Sequence, residues 1–103
     1  MIIYLDTEFT DFISTELISI GAITEDGKYE FYAEISDYNK TAASQFVKLN
    51  VLPLLLGGSY LMSKNEASAR FGSWLDELPY EEVVVCIDYS ADWELMVDLL
   101  DGD

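Results

Sequence analysis

Asp6 and Glu8, two positions apart at the close of an apolar run, are the residues of this chain best suited to do chemistry. Met1-Ile2-Ile3-Tyr4-Leu5 reads as a strand, and the sequence continues Asp6-Thr7-Glu8-Phe9-Thr10. Residues two apart in a strand share a face, so both carboxylates project side by side from one strand end. Carboxylates held that close repel each other unless a cation lies between them or one keeps its proton. Hard oxygen donors of this kind suit Mg²⁺ or Mn²⁺. The same residues also fit a strand that simply ends in water.

The elements that would position this pair are legible from periodicity. Residues 16–24 (ELISIGAIT) form a second strand, with Ile18, Ile20 and Ala22 alternating against Leu17, Ser19, Gly21 and Ile23. Glu25-Asp26-Gly27-Lys28 is a hairpin turn, because Asp-Gly accepts positive φ. A third strand over residues 29–35 puts Tyr29, Phe31, Ala33 and Ile35 on one face and Glu30, Tyr32 and Glu34 on the other. The spacing predicts a helix over 41–50, limited by Pro53, then a packed apolar connection over 52–62. Ser63-Lys64-Asn65-Glu66 has capping-box form and opens a helix to about residue 78, with Ala67, Phe71, Trp74, Leu75 and Leu78 inward. Residues 82–87 read as a fourth strand, apolar enough to be parallel and covered on both faces, with Cys86 buried in it. Ser90 caps a last helix whose stripe is Trp93, Met96, Val97 and Leu100, and both tryptophans are expected in the core. The expected architecture is a single α/β domain with a mixed sheet, in the order βββ-α-α-β-α.

Composition narrows the function. The chain has 103 residues, 20 acids against 5 bases and a net charge of −15, and residues 76–103 hold ten acids and no Lys or Arg. Proteins that grip a phosphate backbone use positive charge to displace its counterions, so unaided nucleic-acid binding is expected to be weak. Bound divalent metal can bridge to phosphate, or an acidic surface can bind a basic partner. A plainly soluble acidic surface is the third option. The single cysteine excludes an internal disulfide framework and suits a reducing compartment. No apolar stretch approaches the ~20 residues that span a bilayer, and no basic region precedes an apolar core at the N-terminus. A cytoplasmic protein without membrane contact is expected.

The chain resembles the DEDD-type 3′–5′ exonucleases of the ribonuclease H-like fold. The resemblance rests on Asp6-Thr7-Glu8-Phe9-Thr10 at the end of the first strand, on Ile20-Gly21 in the second, and on the strand order. The run Tyr-Leu-Asp-Thr-Glu-Phe-Thr is similar to the opening of small bacterial or phage exoribonuclease-like proteins. The family's second motif, an Asp in the first turn of the helix after the fourth strand, falls on Asp92. Asp88 stands where that family often has Asn. The resemblance implies that Asp6, Glu8 and Asp92 are catalytic and hold Mg²⁺ or Mn²⁺, and that single-stranded RNA or DNA is the substrate. It also implies a third motif, with a fourth acidic ligand and a His or Tyr that activates water. The sequence has no histidine, and none of its seven tyrosines follows Asp92. Nothing in the spacing of Asp98, Asp101 and Asp103 recommends them as substitutes. The chain is therefore expected to be a truncated domain (residues 1–103) lacking the last strand and helix, with metal weakly held.

Two functions follow from this reading. In the first, a shortened exonuclease fold is kept as an acidic, non-catalytic binding protein. It would be a nucleic-acid mimic, such as a phage anti-CRISPR inhibitor, directed at a basic nucleic-acid-binding protein or complex. In the second, the chain is a divalent-metal-dependent 3′–5′ exoribonuclease whose third motif comes from a missing C-terminal part or a partner. A homodimer covering the exposed sheet edge is compatible with either.

Overall fold

Alternation decides the first strand. In the computed structural model, which describes residues 1–13 and 15–101, β1 (Ile2–Phe9) buries Ile3, Leu5 and Thr7 and leaves Tyr4, Asp6 and Glu8 exposed. The hairpin turn forms as the sequence indicates, with Gly27 at φ 74°. It joins β2 (Leu17–Thr24) to β3 (Glu30–Ile35), and both pairings of β2, with β1 and with β3, are antiparallel.

Helix formation in the middle of the chain is more broken than periodicity suggests. The expected helix over 41–50 divides into a 3₁₀ turn at Lys40–Ala42 and a short α1 (Gln45–Asn50). The break is made by Ser44, whose hydroxyl accepts the Val47 N–H and caps α1. Two further 3₁₀ turns, Leu52–Leu54 and Gly58–Tyr60, carry the chain across the sheet. Gly57 and Gly58 sit at φ 65° and 60°, backbone that glycine adopts without penalty. They turn the chain so that Leu61–Met62 pairs parallel with β3 as β4. This strand is an addition to the expected βββ-α-α-β-α order. Two residues after a Gly-Gly pair carry no periodicity to read.

α2 (Lys64–Glu77) is capped by Ser63, which accepts the Glu66 N–H as the capping-box pattern predicts. After it, β5 (Val84–Cys86) pairs parallel with β1, and α3 (Ser90–Leu100) follows. The result is a five-stranded mixed sheet of order β4-β3-β2-β1-β5. α2 and α3 pack on one of its faces. There Phe71 and Ala67 of α2 and Leu95, Met96 and Leu99 of α3 meet Ile3, Leu5, Ile20, Ala22 and Ala33. A smaller cluster of Ile18, Ala43 and Val47 closes one end.

Three expectations are corrected here. β5 is an edge strand covered on one face only, so Val84 is 63% exposed and Cys86 is exposed rather than buried. Its apolar composition reflects the inward side chain of Val85 and a bare outer face, not cover on both sides. The α3 stripe is Asp92, Leu95, Met96 and Leu99, one position off the expected one, and Trp93 is 48% exposed. Trp74 does pack against the core, stacked on Phe71. Tyr89 rather than Ser90 is the N-cap of α3. No described helix is long and apolar enough to cross a membrane.

Candidate active site

The strand register lays out the face of the sheet opposite α2 and α3 as rows. Glu8 lies opposite Ser19, which lies opposite Glu34. Asp6 lies opposite Gly21, which lies opposite Tyr32. Cys86, Tyr4, Ile23 and Glu30 make the next row. Asp6 and Glu8 therefore share this face, as their spacing predicts, and both are exposed. Gly21 puts no side chain beside Asp6, and the Tyr32 ring lies close over it, 3.7 Å from where a Cβ would stand. An open hollow of about 880 Å³ runs along this face, lined by Tyr4, Asp6, Tyr32, Tyr60 and Asp88 among others.

Electrostatics identify these carboxylates as strained. Burial, then the charges of Asp92 and Asp88, push the Asp6 carboxyl above its usual range, against the opposing pull of the Thr7 N–H. Burial, then Asp6 and Asp92, push Glu8 up in the same way. Each group is disfavoured as an anion by its neighbours. A cation would relieve both.

Asp92 is placed differently. It is fully buried beneath β1, where its Oδ1 accepts the Thr7 hydroxyl at 2.5 Å and its Oδ2 accepts the Tyr89 N–H at 3.3 Å. Thr7 points to the helix-covered side of β1, opposite to Asp6 and Glu8. Asp92 lies near enough to raise both exposed carboxyls, but its oxygens are turned toward Thr7 and its own helix N-terminus. Among the described residues, no three Asp, Glu or Cys side chains converge as a ready metal cluster. The structure brings Asp6 and Glu8 together and holds Asp92 behind them.

The other acids of α3 stand apart. Asp98 is ion-paired with Lys64. Asp101 is the C-cap of α3, nine residues and roughly 13 Å along the helix axis from Asp92 at ~1.5 Å per residue. Asp103 lies outside the described residues.

Glu34 is the site feature that periodicity missed. Alternation assigns it to an outward face, yet it is 1% exposed. Its Oε2 accepts the Tyr32 hydroxyl at 2.5 Å and the Leu56 N–H at 2.7 Å, and its Oε1 accepts the Gly57 N–H at 2.8 Å. Burial alone would raise its carboxyl, but these three donors outweigh it and hold the group below its usual value. The hydroxyl of Tyr32 is pushed up in turn, by burial and then by Glu34. Glu34 thus clamps residues 56–57 across the sheet. The Gly57-Gly58 pair was the one sequence signal that the chain turns back over β3 at this point.

A mixed sheet with this carboxylate pair on β1, between antiparallel β2 and parallel β5, is compatible with a ribonuclease H-like fold. The chain is similar to two 3′–5′ exoribonucleases of Mycobacterium tuberculosis, from strains CDC 1551 and H37Rv. It is 43% identical to each over 53 residues, covering 50% of this chain and 31% of each relative. The likeness thus spans less than a third of either enzyme's length. No family model matches the chain.

Proposed function

We propose that this chain forms the carboxylate-bearing part of a divalent-metal-dependent 3′–5′ exoribonuclease of the DEDD type. The observation that carries the reading is the Asp6–Glu8 pair, exposed on one face with both carboxyls pushed up. The 43% identity to proteins named as 3′–5′ exoribonucleases supports it. The donor set fits Mg²⁺ or Mn²⁺, because such ions keep several waters and bind through one or two carboxylates together with substrate phosphate. When bound, the metal would polarise a phosphodiester and offset the charge that develops on it.

The chain's own residues hold and orient. Asp6 and Glu8 present adjacent anionic oxygens. Gly21 leaves the approach to Asp6 open on one side. Thr7, between the two, locks β1 to α3 through Asp92, so the strand end cannot twist and part the pair. Asp92 adds negative potential behind them, and we assign it to the metal site in that role or as a ligand after a turn of its side chain. The fourth acidic ligand and the group that activates water are proposed to come from polypeptide outside these residues or from a partner. The reading of the chain as an acidic inhibitor rests on its net charge, its base-free last 28 residues and the missing third motif, and takes second place.

The test is degradation of 5′-labelled single-stranded RNA with Mg²⁺ or Mn²⁺, run beside a 3′-blocked RNA and the Asp6→Asn, Glu8→Gln double variant. The expected result is slow one-nucleotide shortening from free 3′ ends that vanishes in the variant. Its rate should sit ~10²–10⁴-fold below that of a site with its general base in place. A double variant that binds Mn²⁺ as tightly as the wild type would overturn the reading for this chain. So would shortening that the variant leaves unchanged.

A further inference from the structure

The face that carries Asp6 and Glu8 also carries apolar side chains that nothing covers. Tyr4, Ile23, Val84 and Cys86 all lie exposed on it, with Tyr4 opposite both Ile23 and Cys86, and Val84 opposite Ile2. Contiguous apolar surface of this sort marks an interaction site in soluble proteins. Its border is mostly acidic, and the one base in the hollow's lining, Arg70, is held by Glu66. Asp6 and Glu8 stand along one side, Glu30 at one end of the row, and Asp88 just beyond β5. The row from Glu30 to Cys86 crosses four strands, about 14 Å at ~4.8 Å per strand gap, which matches the ~10–12 Å width of one α-helix with its side chains.

Charge selects the occupant. A second copy of this chain would bring another net −15 against the same acidic border, and RNA phosphates meet the same repulsion. Of the few bases, Lys64 and Arg70 are already paired with Asp98 and Glu66. The surface calls for a ligand that is apolar along one side and positive along its flanks.

We propose that the bare face of the sheet binds a basic amphipathic helix of a partner protein, seated on Tyr4, Ile23 and Val84 with its Lys or Arg side chains against Asp6, Glu8, Glu30 and Asp88. The helix and a divalent cation then draw on the same two carboxylates, so such a partner also controls access of metal to the site. Binding itself does not depend on the exoribonuclease reading.

The probe is a fluorescently labelled synthetic helix with a leucine face and lysine flanks, titrated by anisotropy without divalent cation. A leucine/glutamate counterpart serves as the charge control. Val84→Lys and Ile23→Lys each place a positive group under the helix. Phe46→Lys makes the same charge change at an exposed α1 residue that does not line the hollow. The expected result is binding of the lysine helix only, weakened at least ~10-fold by either face variant because like charges are set against each other. Phe46→Lys should leave affinity within about twofold, because it puts no charge under the helix and salt screens the remainder. Equal losses in all three variants would show attraction to bulk charge and overturn the proposal. So would absence of binding, or self-association in sedimentation that Val84→Lys abolishes, or labelled RNA that binds the same face more tightly than the helix. Because no turnover is read and no metal is present, failure here leaves the carboxylate site untouched, and loss of RNA degradation leaves this surface untouched.

Discussion

On the helix-covered side of β1, Asp92 is fully buried and both of its carboxylate oxygens accept hydrogen bonds. On the bare side of the same strand, Asp6 and Glu8 are exposed, crowd one another and are pushed toward protonation. Glu34 shares their face but behaves like Asp92, because residues 56–57 close over it and supply donors. An acid here is tied into the fold where several donors reach it, and stays exposed and disfavoured as an anion where few do. Exposure follows the same division, with Asp92 and Glu34 buried and Asp6 and Glu8 exposed, and the buried pair is the one that several oriented donors hold.

The contrast can be broken from the covered side first. Phe71→Ala, which empties the centre of the core, is expected to cost about 3–5 kcal/mol in urea unfolding. Asp92→Ala should cost about 2–3 kcal/mol by stranding the Thr7 hydroxyl and the Tyr89 N–H, with Asp92→Asn recovering part of it. A cost for Asp92→Ala within ~0.5 kcal/mol, the range of an ordinary surface change, would place Asp92 with Asp6 and Glu8 instead. Glu34→Ala should cost about 1–3 kcal/mol and selectively speed amide exchange at Leu56 and Gly57. Unchanged exchange there would remove the clamp from the account. At the small end, Val84→Thr on the same face should change stability by no more than about 0.5 kcal/mol, since Val84 is 63% exposed and threonine keeps the β-branched shape. A large loss would mean the face is not bare in solution.

The pH dependence sharpens the same comparison. A carboxyl raised in the folded state binds its proton more tightly there than in the unfolded chain. The stability linked to Asp6 and Glu8 is therefore fully present below their ordinary values of 3.8 and 4.5 and is lost as pH rises through their raised values. Glu34, held below its ordinary 4.5, acts in the opposite sense: its contribution is present above that value and fades as pH falls through its depressed one. Replacing Asp6 and Glu8 with Asn and Gln should therefore stabilise the fold at pH 7 relative to pH 4, judged by thermal midpoints at both pH values. Parallel curves for variant and wild type would contradict the electrostatic strain.

What the sequence made legible follows from the range of each signal. Asp6 and Glu8 on one face, the Asp-Gly turn, the three-strand meander and the Ser63 cap are set by neighbours a few residues apart, and the structure places them as expected. Features set by distant cover were hidden. The apolar run at residues 82–87 reads as doubly buried, but Val84 and Cys86 face an exposed side, because α2 and α3 both pack on the opposite face. Glu34 reads as solvated, but a loop more than twenty residues away folds over it. Asp92 is legible as a residue near Asp6 and Glu8 and illegible in its orientation, which the Thr7 hydroxyl decides.

The most direct test of the central assignment is thermal unfolding at pH 7 across a titration of Mn²⁺, for the wild type and the Asp6→Asn, Glu8→Gln double variant. The account predicts that the variant is the more stable protein without metal, that Mn²⁺ raises the wild-type midpoint in a saturable way, and that the variant loses this response. A variant less stable than wild type without metal, or one that Mn²⁺ stabilises equally, would show that Asp6 and Glu8 belong to the fold rather than to a metal site.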